Sequence, residues 1–234
     1  MFEPATEVPP VNVFYARQQR PTPYLWSTTD IGRLLHATRQ LEPAYTACLF
    51  ETLFGLLATT GMRITETLRL TNDTVDLTCG VLTNLDGKFG RSRLVPLHST
   101  TTEALRAYAA LRDQTFPTPT TAEFFQSKTG RTLAYNDVAA VFRKLTVQIG
   151  VRTETVHPRM HDVRHSFAVR TLINWHQAGT DIDANMLTLS NYLGHVNATG
   201  TYWYLSASPE LMGLAAGRLT QQFGHQTFDG DVAS

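Results

Sequence analysis

A mainly helical α+β fold with one small antiparallel sheet is what this 234-residue sequence predicts. Three observations carry that expectation. Most of the chain repeats apolar residues at helical spacing between N-cap residues and glycine stops. One segment, from Thr74 to Leu97, changes texture to β-branched residues broken by a Cys79-Gly80 turn and a second turn, Asp86-Gly87-Lys88-Phe89-Gly90. Hydrophobic residues make up 42% of the chain, enough for a packed core.

The elements follow in order. Residues 1–27 are rich in proline and read as an arm or linker. Thr28, Thr29 and Asp30 are N-cap types before a first helix, IGRLLHATRQL. Pro43 suits the opening of a second helix, AYTACLFETLFGLLATT, and Gly61 its stop. A short third helix, ITETLRL, follows. TVDLTCGVLTNL and RSRLVPL supply the strands of the sheet, with Lys88 near the hairpin tip. STTTEALRAYAALRD returns to helix, capped by Ser99 or Thr100. FPTPTTAEF is loop, EFFQS a short strand, and AYNDVAAVFRKLTVQIG a helix ending at Gly150. HDVRHSFAVRTLINW sets Val163, Phe167, Ala168, Leu172 and Trp175 on one helical stripe. Further helices are expected over 184–193 and 209–221.

Bulk properties exclude some classes. No apolar run approaches membrane-spanning length, and the N-terminus has no charged-then-apolar signal pattern. Cys48 and Cys79 form no CxxC motif and no disulfide framework, which fits a reducing cytoplasm. The formal net charge is zero, but its distribution is uneven. Residues 126–170 carry eight basic side chains against three acidic, whereas one basic residue faces five acidic from 181 onward. A local positive region of this kind suits a phosphate backbone, although ordinary surface scatter gives the same count.

Candidate chemistry concentrates late in the chain. His161, Arg164, His195 and Tyr204 lie in the strings HDVRHSF and YLGHVNATGTYWY. Two imidazoles and a guanidinium beside tyrosines point to covalent attack by a tyrosine on a phosphate ester. Tyr192, Tyr202 and Tyr204 compete for that role, and each alone reads equally as a core residue. Upstream, Arg63 stands where one helix stops and the next begins, with Glu66 one turn on to orient it; the plain alternative is a surface i,i+3 pair. Lys88 could act as a mobile general acid or be a solvated turn lysine. Arg91 and Arg93 make the hairpin tip basic. The i,i+4 spacing of His161 and His165 is that of a helical zinc pair. A zincin-type site would want glutamate where Asp162 stands, and Arg164 would repel a cation; in the phosphate reading His161 and Arg164, one turn apart, face one cleft and His165 is structural.

Taken in order, GMRITE, GKFGRSR, HDVRH, YLGH and Tyr204 nine residues beyond His195 resemble the catalytic domain of the tyrosine recombinase (phage integrase) family over residues 28–220. The resemblance implies a site-specific recombinase or integrase of a phage or mobile element, breaking and rejoining double-stranded DNA without metal, ATP or other cofactor. It implies that Arg63 and Arg164 clamp the scissile phosphate and that Lys88 protonates the leaving 5′-oxygen. His161 would assist proton transfer at the tyrosine, and His195 would hydrogen-bond a non-bridging oxygen. It selects Tyr204 as the nucleophile that forms a 3′-phosphotyrosyl bond. It further implies a tetramer on DNA, no membrane partner, and a cytoplasmic, nucleoid-associated protein. Two departures stand out. The interval from Arg164 to His195 is longer than is usual in the family, suggesting a small insertion. Only about 27 residues precede the first helix, so the family's usual N-terminal core-binding domain is expected to be absent, with residues 221–234 a tail. The competing expectations are a DNA-binding module or truncated recombinase without activity, a type IB topoisomerase-like relaxing enzyme and, as an outsider, a metal hydrolase.

Overall fold

The computed structural model describes residues 22–86 and 91–194. Its elements are α1 (Thr28–Thr38), α2 (Ala44–Thr60), α3 (Ile64–Thr67), β1 (Val75–Asp76), β2 (Val81–Asp86), β3 (Arg91–Pro96), α4 (Ser99–Thr115), α5 (Tyr135–Gln148), α6 (Met160–Gln177) and α7 (Ile182–Leu193). This is the expected helical architecture with one three-stranded antiparallel sheet, ordered β1-β2-β3. Among these residues no helix is long and apolar enough to cross a membrane.

α2 organises the body. It is apolar on nearly every side, with Tyr45, Leu49, Phe50, Leu53, Phe54, Leu56 and Leu57 all buried, as expected of a helix enclosed by others. α1, α4 and α6 pack around it, and α5 closes on α1. Each of these fully buried apolar side chains contributes about 1.5–3 kcal/mol relative to exposure. A second, smaller apolar cluster joins Ala168, Val169 and Leu172 of α6 to Met186, Leu189 and Leu193 of α7. α6 therefore belongs to both cores: Met160 and Val163 at its start face the main one.

Several boundaries differ from the sequence expectation, each for a local reason. The cap of α1 is Ser27, whose hydroxyl accepts from the Asp30 amide at 3.0 Å. The cap of α4 is His98, whose ring accepts from Thr100. α3 stops at Thr67, short of the expected Leu70. The proline-rich stretch ends inside the body: Trp26 is buried, lies edge-on to Tyr24 and donates its backbone N–H to Ser166 Oγ at 2.7 Å.

EFFQS does not form a strand. Its neighbourhood makes only isolated bridges, Thr71 to Glu123 and Gln126 to Thr132. Side chains hold it instead. Tyr45 and Tyr108 share a hydroxyl contact at 3.1 Å, Tyr45 donates to Gln126 O, and Tyr108 accepts from Gln126 N. Arg112 donates to Phe124 O, and Phe124 N donates to Leu70 O. Burial raises both tyrosines well above the usual phenol value, so they are neutral structural hydroxyls. The helix expected over 209–221 lies outside the described residues.

Candidate active site

The site forms where α2 ends, α3 and α6 begin, and α7 ends. α2 stops at Gly61, whose φ of +63° is the left-handed conformation that releases the chain into α3. Arg63 is the N-cap of α3. Its backbone N–H donates to Glu66 Oε2 at 3.0 Å and its Nη1 to Glu66 Oε1 at 2.6 Å. The i,i+3 pair read from the sequence is therefore present, and it does not exhaust the guanidinium: Nη2 reaches across to Gly194 O at 3.2 Å.

Arg164 stands on the second turn of α6 and is 1% exposed. Nη1 donates to Gly61 O at 2.8 Å and Nη2 to Leu193 O. Two arginines 101 positions apart in the chain are thus fastened to consecutive carbonyls, Leu193 and Gly194, at the end of α7. Free carbonyls at a helix C-terminus carry partial negative charge and suit guanidinium donors. The next residue in the chain is His195.

The start of α6 sets His161 beside this pair. Arg159 and Asp162 form a capping box, with Arg159 N donating to Asp162 Oδ2 at 2.8 Å and Arg159 Nη2 to Oδ1 at 2.8 Å. Asp162 is consumed as a buried helix cap. His161 and His165 meet edge to face, ring centroids 4.6 Å apart. Among the described residues no group of three or more histidine, cysteine, aspartate or glutamate side chains is placed to hold a metal. Desolvation by the surrounding protein, then the charges of Arg164 and Arg63, hold His161 below the usual imidazole value, although its side chain still reaches solvent. Burial and His161 bring His165 down to about 4. Both rings are neutral at neutral pH.

The sheet contributes a residue that sequence reasoning assigned to the wrong place. In sequence, Arg93 reads with Arg91 as part of a basic hairpin tip. It points inward instead, opposite Asn84 in the β2–β3 register, and its Nη2 donates to Glu66 Oε2 at 2.6 Å. The available signal was strand parity: Val95, two residues on, is 1% exposed, while Leu94 between them is 66% exposed. Glu66 is consequently shared by two arginines. Burial alone would raise its pKa, but hydrogen bonds and charge from Arg93, then Arg63, hold the carboxyl below the usual range.

That shift has a measurable consequence. A carboxylate whose pKa is lowered by folding stabilises the fold fully above its unfolded value, about 4.3, and loses the contribution as pH falls through the lowered value. Thermal stability should therefore fall on acidification below about pH 4.3 with a component missing from Glu66→Gln. Parallel melting curves for the two proteins across that window would contradict the assignment.

Of the expected site residues, Arg63, His161 and Arg164 are brought together. Lys88, His195 and Tyr204 lie outside the described residues, as do Tyr202 and Trp203; Lys88 falls between the paired ends of β2 and β3. Tyr192 is partly buried, stacked on Phe167 at 5.8 Å, and burial raises its pKa, which is the setting of a packing residue.

Two arginines meet at the end of α7 on a helical body that carries a β-hairpin, and comparison with known proteins gives the class to which that arrangement belongs. The phage integrase family matches over residues 27–210. The chain is 40% identical over 233 residues to a putative integrase/recombinase, y4rB, of Sinorhizobium fredii, covering 96% of this chain and 74% of that one. It is 31% identical over 159 residues to tyrosine recombinase XerD of Staphylococcus epidermidis, covering 68% of this chain and 50% of that one. Among solved structures, the XerA recombinase shares the fold with a TM-score of 0.66 at 22% identity, over 91% of this chain and 68% of that one. The XerH site-specific recombinase bound to palindromic difH substrate gives 0.65 at 21%, over 84% and 53%. The chain belongs to the phage integrase family and is a tyrosine recombinase by class, an enzyme type that breaks and rejoins DNA.

Proposed function

We propose that this chain carries out site-specific recombination of double-stranded DNA for a mobile element or phage, with Tyr204 as nucleophile. The observation that supports it is the convergence of Arg63 and Arg164 on the carbonyls of Leu193 and Gly194, directly before His195. Two fixed guanidinium groups there suit the charge that builds up on a phosphate in its pentacoordinate transition state. The Tyr204 phenolic oxygen attacks phosphorus, the bond to the 5′-oxygen breaks, and a 3′-phosphotyrosyl link forms. His161, neutral at the start, takes the phenolic proton. Lys88 gives a proton to the leaving 5′-oxygen, and His195 donates to a non-bridging oxygen. Rejoining reverses the sequence: a 5′-hydroxyl attacks phosphorus and releases the tyrosine. The phosphodiester energy is kept in the covalent link, so the exchange needs neither ATP nor metal. Structural neighbours include the Tn1549 transposon integrase in complex with transposon right end DNA, which supports a duplex partner here; assembly of four copies on paired sites at the chromosome completes the proposal.

A suicide DNA substrate tests it. A covalent protein–DNA adduct is expected, and Tyr204→Phe should abolish it; an adduct that survives that substitution would overturn the nucleophile assignment. Salt-sensitive binding with no adduct on any substrate would leave a DNA-binding module instead. At limiting DNA, where the profile reports the free protein, the acid limb of cleavage should lie below the ordinary histidine value of about 6.5, because His161 is held neutral. An acid limb above that value would remove His161 as the proton acceptor.

A further inference from the structure

Arg93 has no part in the chemistry just described, yet it touches the residue that orients Arg63. Glu66 is saturated by the two arginines. Oε1 accepts from Arg63 Nη1 at 2.6 Å and from Arg93 Nη1 at 3.4 Å; Oε2 accepts from Arg93 Nη2 at 2.6 Å and from Arg63 N at 3.0 Å. Asn84, 3% exposed and directly across the strand pair, supports Arg93 from the other side. With its amide oxygen turned to the guanidinium it accepts from Nη1 at 2.6 Å and Nη2 at 3.2 Å. The ideal Cβ position of Gly194 lies 2.6 Å from Arg93 Nη1 and 3.7 Å from Arg63 Nη1, so the end of α7 and both arginines fill one space.

This arrangement has a charge consequence. Arg63 and Glu66 alone would be a neutral pair, and a carboxylate with both oxygens available would draw the Arg63 fork into a bidentate grip. Arg93 occupies Oε2 and half-neutralises the carboxylate. It leaves the Arg63 guanidinium one contact on Glu66, from Nη1 to Oε1, with the Arg63 Nη2 turned to the Gly194 carbonyl. We infer that Arg93 is a positioning residue for the phosphate clamp: by competing for Glu66 it keeps the Arg63 guanidinium at the end of α7 with its positive charge available to a phosphate. The inference rests on the recombinase reading above for the identity of that phosphate. It differs from a plain staple between β3 and α3, which would add stability and leave the reaction rate alone.

The two roles separate in single-turnover cleavage of a suicide duplex at saturating DNA, below the melting temperature of every variant. Arg93→Ala should slow adduct formation about 10- to 100-fold, the range expected when a reacting group is misplaced by about an ångström. DNA affinity should change less than about 3-fold, since one contact among many in a duplex complex is affected only indirectly. Adding Glu66→Gln to Arg93→Ala should recover part of the lost rate, because the competing carboxylate is gone. Arg93→Lys, which keeps the charge and can hold one oxygen, should lose less than Arg93→Ala and serves where alanine does not fold. A wild-type rate in Arg93→Ala, or a double variant slower than the single one, would overturn the inference. A wild-type protein that forms no adduct would count against the recombinase reading, and positioning would then be read from the DNA-free protein. The Arg63 guanidinium N–H groups should exchange with water more slowly in Arg93→Ala, as the freed carboxylate grips them, while those of the remote Arg112 are unaltered. Unchanged exchange at Arg63 would overturn the inference on its own.

Discussion

Arg164→Ala is expected to lower cleavage by about 10²–10³-fold and to cost about 2–4 kcal/mol of stability. The two losses have separate origins. In the proposed reaction, alanine would remove one of the two guanidinium groups assigned to the phosphate, where negative charge develops. In the fold, it empties a site where the side chain is 1% exposed and ties Gly61 O to Leu193 O. Those carbonyls close α2 and α7, so both helix ends would lose the same charged donor. Arg164→Lys keeps the charge but offers one ammonium in place of a planar fork, and cannot span two carbonyls in the same geometry. It should recover little of the rate and part of the stability. Thermal melting and adduct formation, measured on the same preparations, check both. A lysine variant with wild-type cleavage would show that charge alone suffices, and the clamp geometry would lose its role.

The parts of the site legible in the sequence were those fixed by local rules. α2 was bounded correctly at both ends because a long, mostly apolar run opens after Pro43 and because a left-handed glycine, Gly61, stops it. Arg63 with Glu66 was legible as an i,i+3 pair, and the pair is present. Arg93 was not, because a short run of charges beside a glycine-rich turn looks like a solvated tip. Its direction depends on strand parity, which sets Arg93 on the face of Val95, and on Glu66 waiting 27 positions away to make an inward arginine affordable. EFFQS failed for a similar reason. Its two phenylalanines read as strand, but its backbone partners are Tyr108, Arg112 and Leu70, none of them near it in sequence. Long-range side-chain partners decide these cases, and no window of sequence contains them.

Gly61→Ala should destabilise the protein by about 2–4 kcal/mol and slow cleavage as well, though residue 61 presents no side chain to any substrate. The left-handed φ of +63° costs an alanine about 1–2 kcal/mol. The added Cβ would also sit 2.5 Å from Phe167 Cδ1 and 2.9 Å from Cγ, so the ring must move. The ring is also stacked on Tyr192, with the planes 25° apart, and Tyr192 lies two residues before the Gly194 carbonyl that holds Arg63. Displacing Phe167 therefore presses on the end of α7, where both arginines are fastened. The clash and the backbone strain can be told apart by a double-mutant cycle with Phe167→Ala. If the ring transmits the damage, Gly61→Ala should cost less in the Phe167→Ala background by about 1 kcal/mol or more, and cleavage should recover in step. If the backbone strain acts alone, the two substitutions should simply add, and the arginines would owe their placement to the Gly61 turn without help from the aromatic stack behind it.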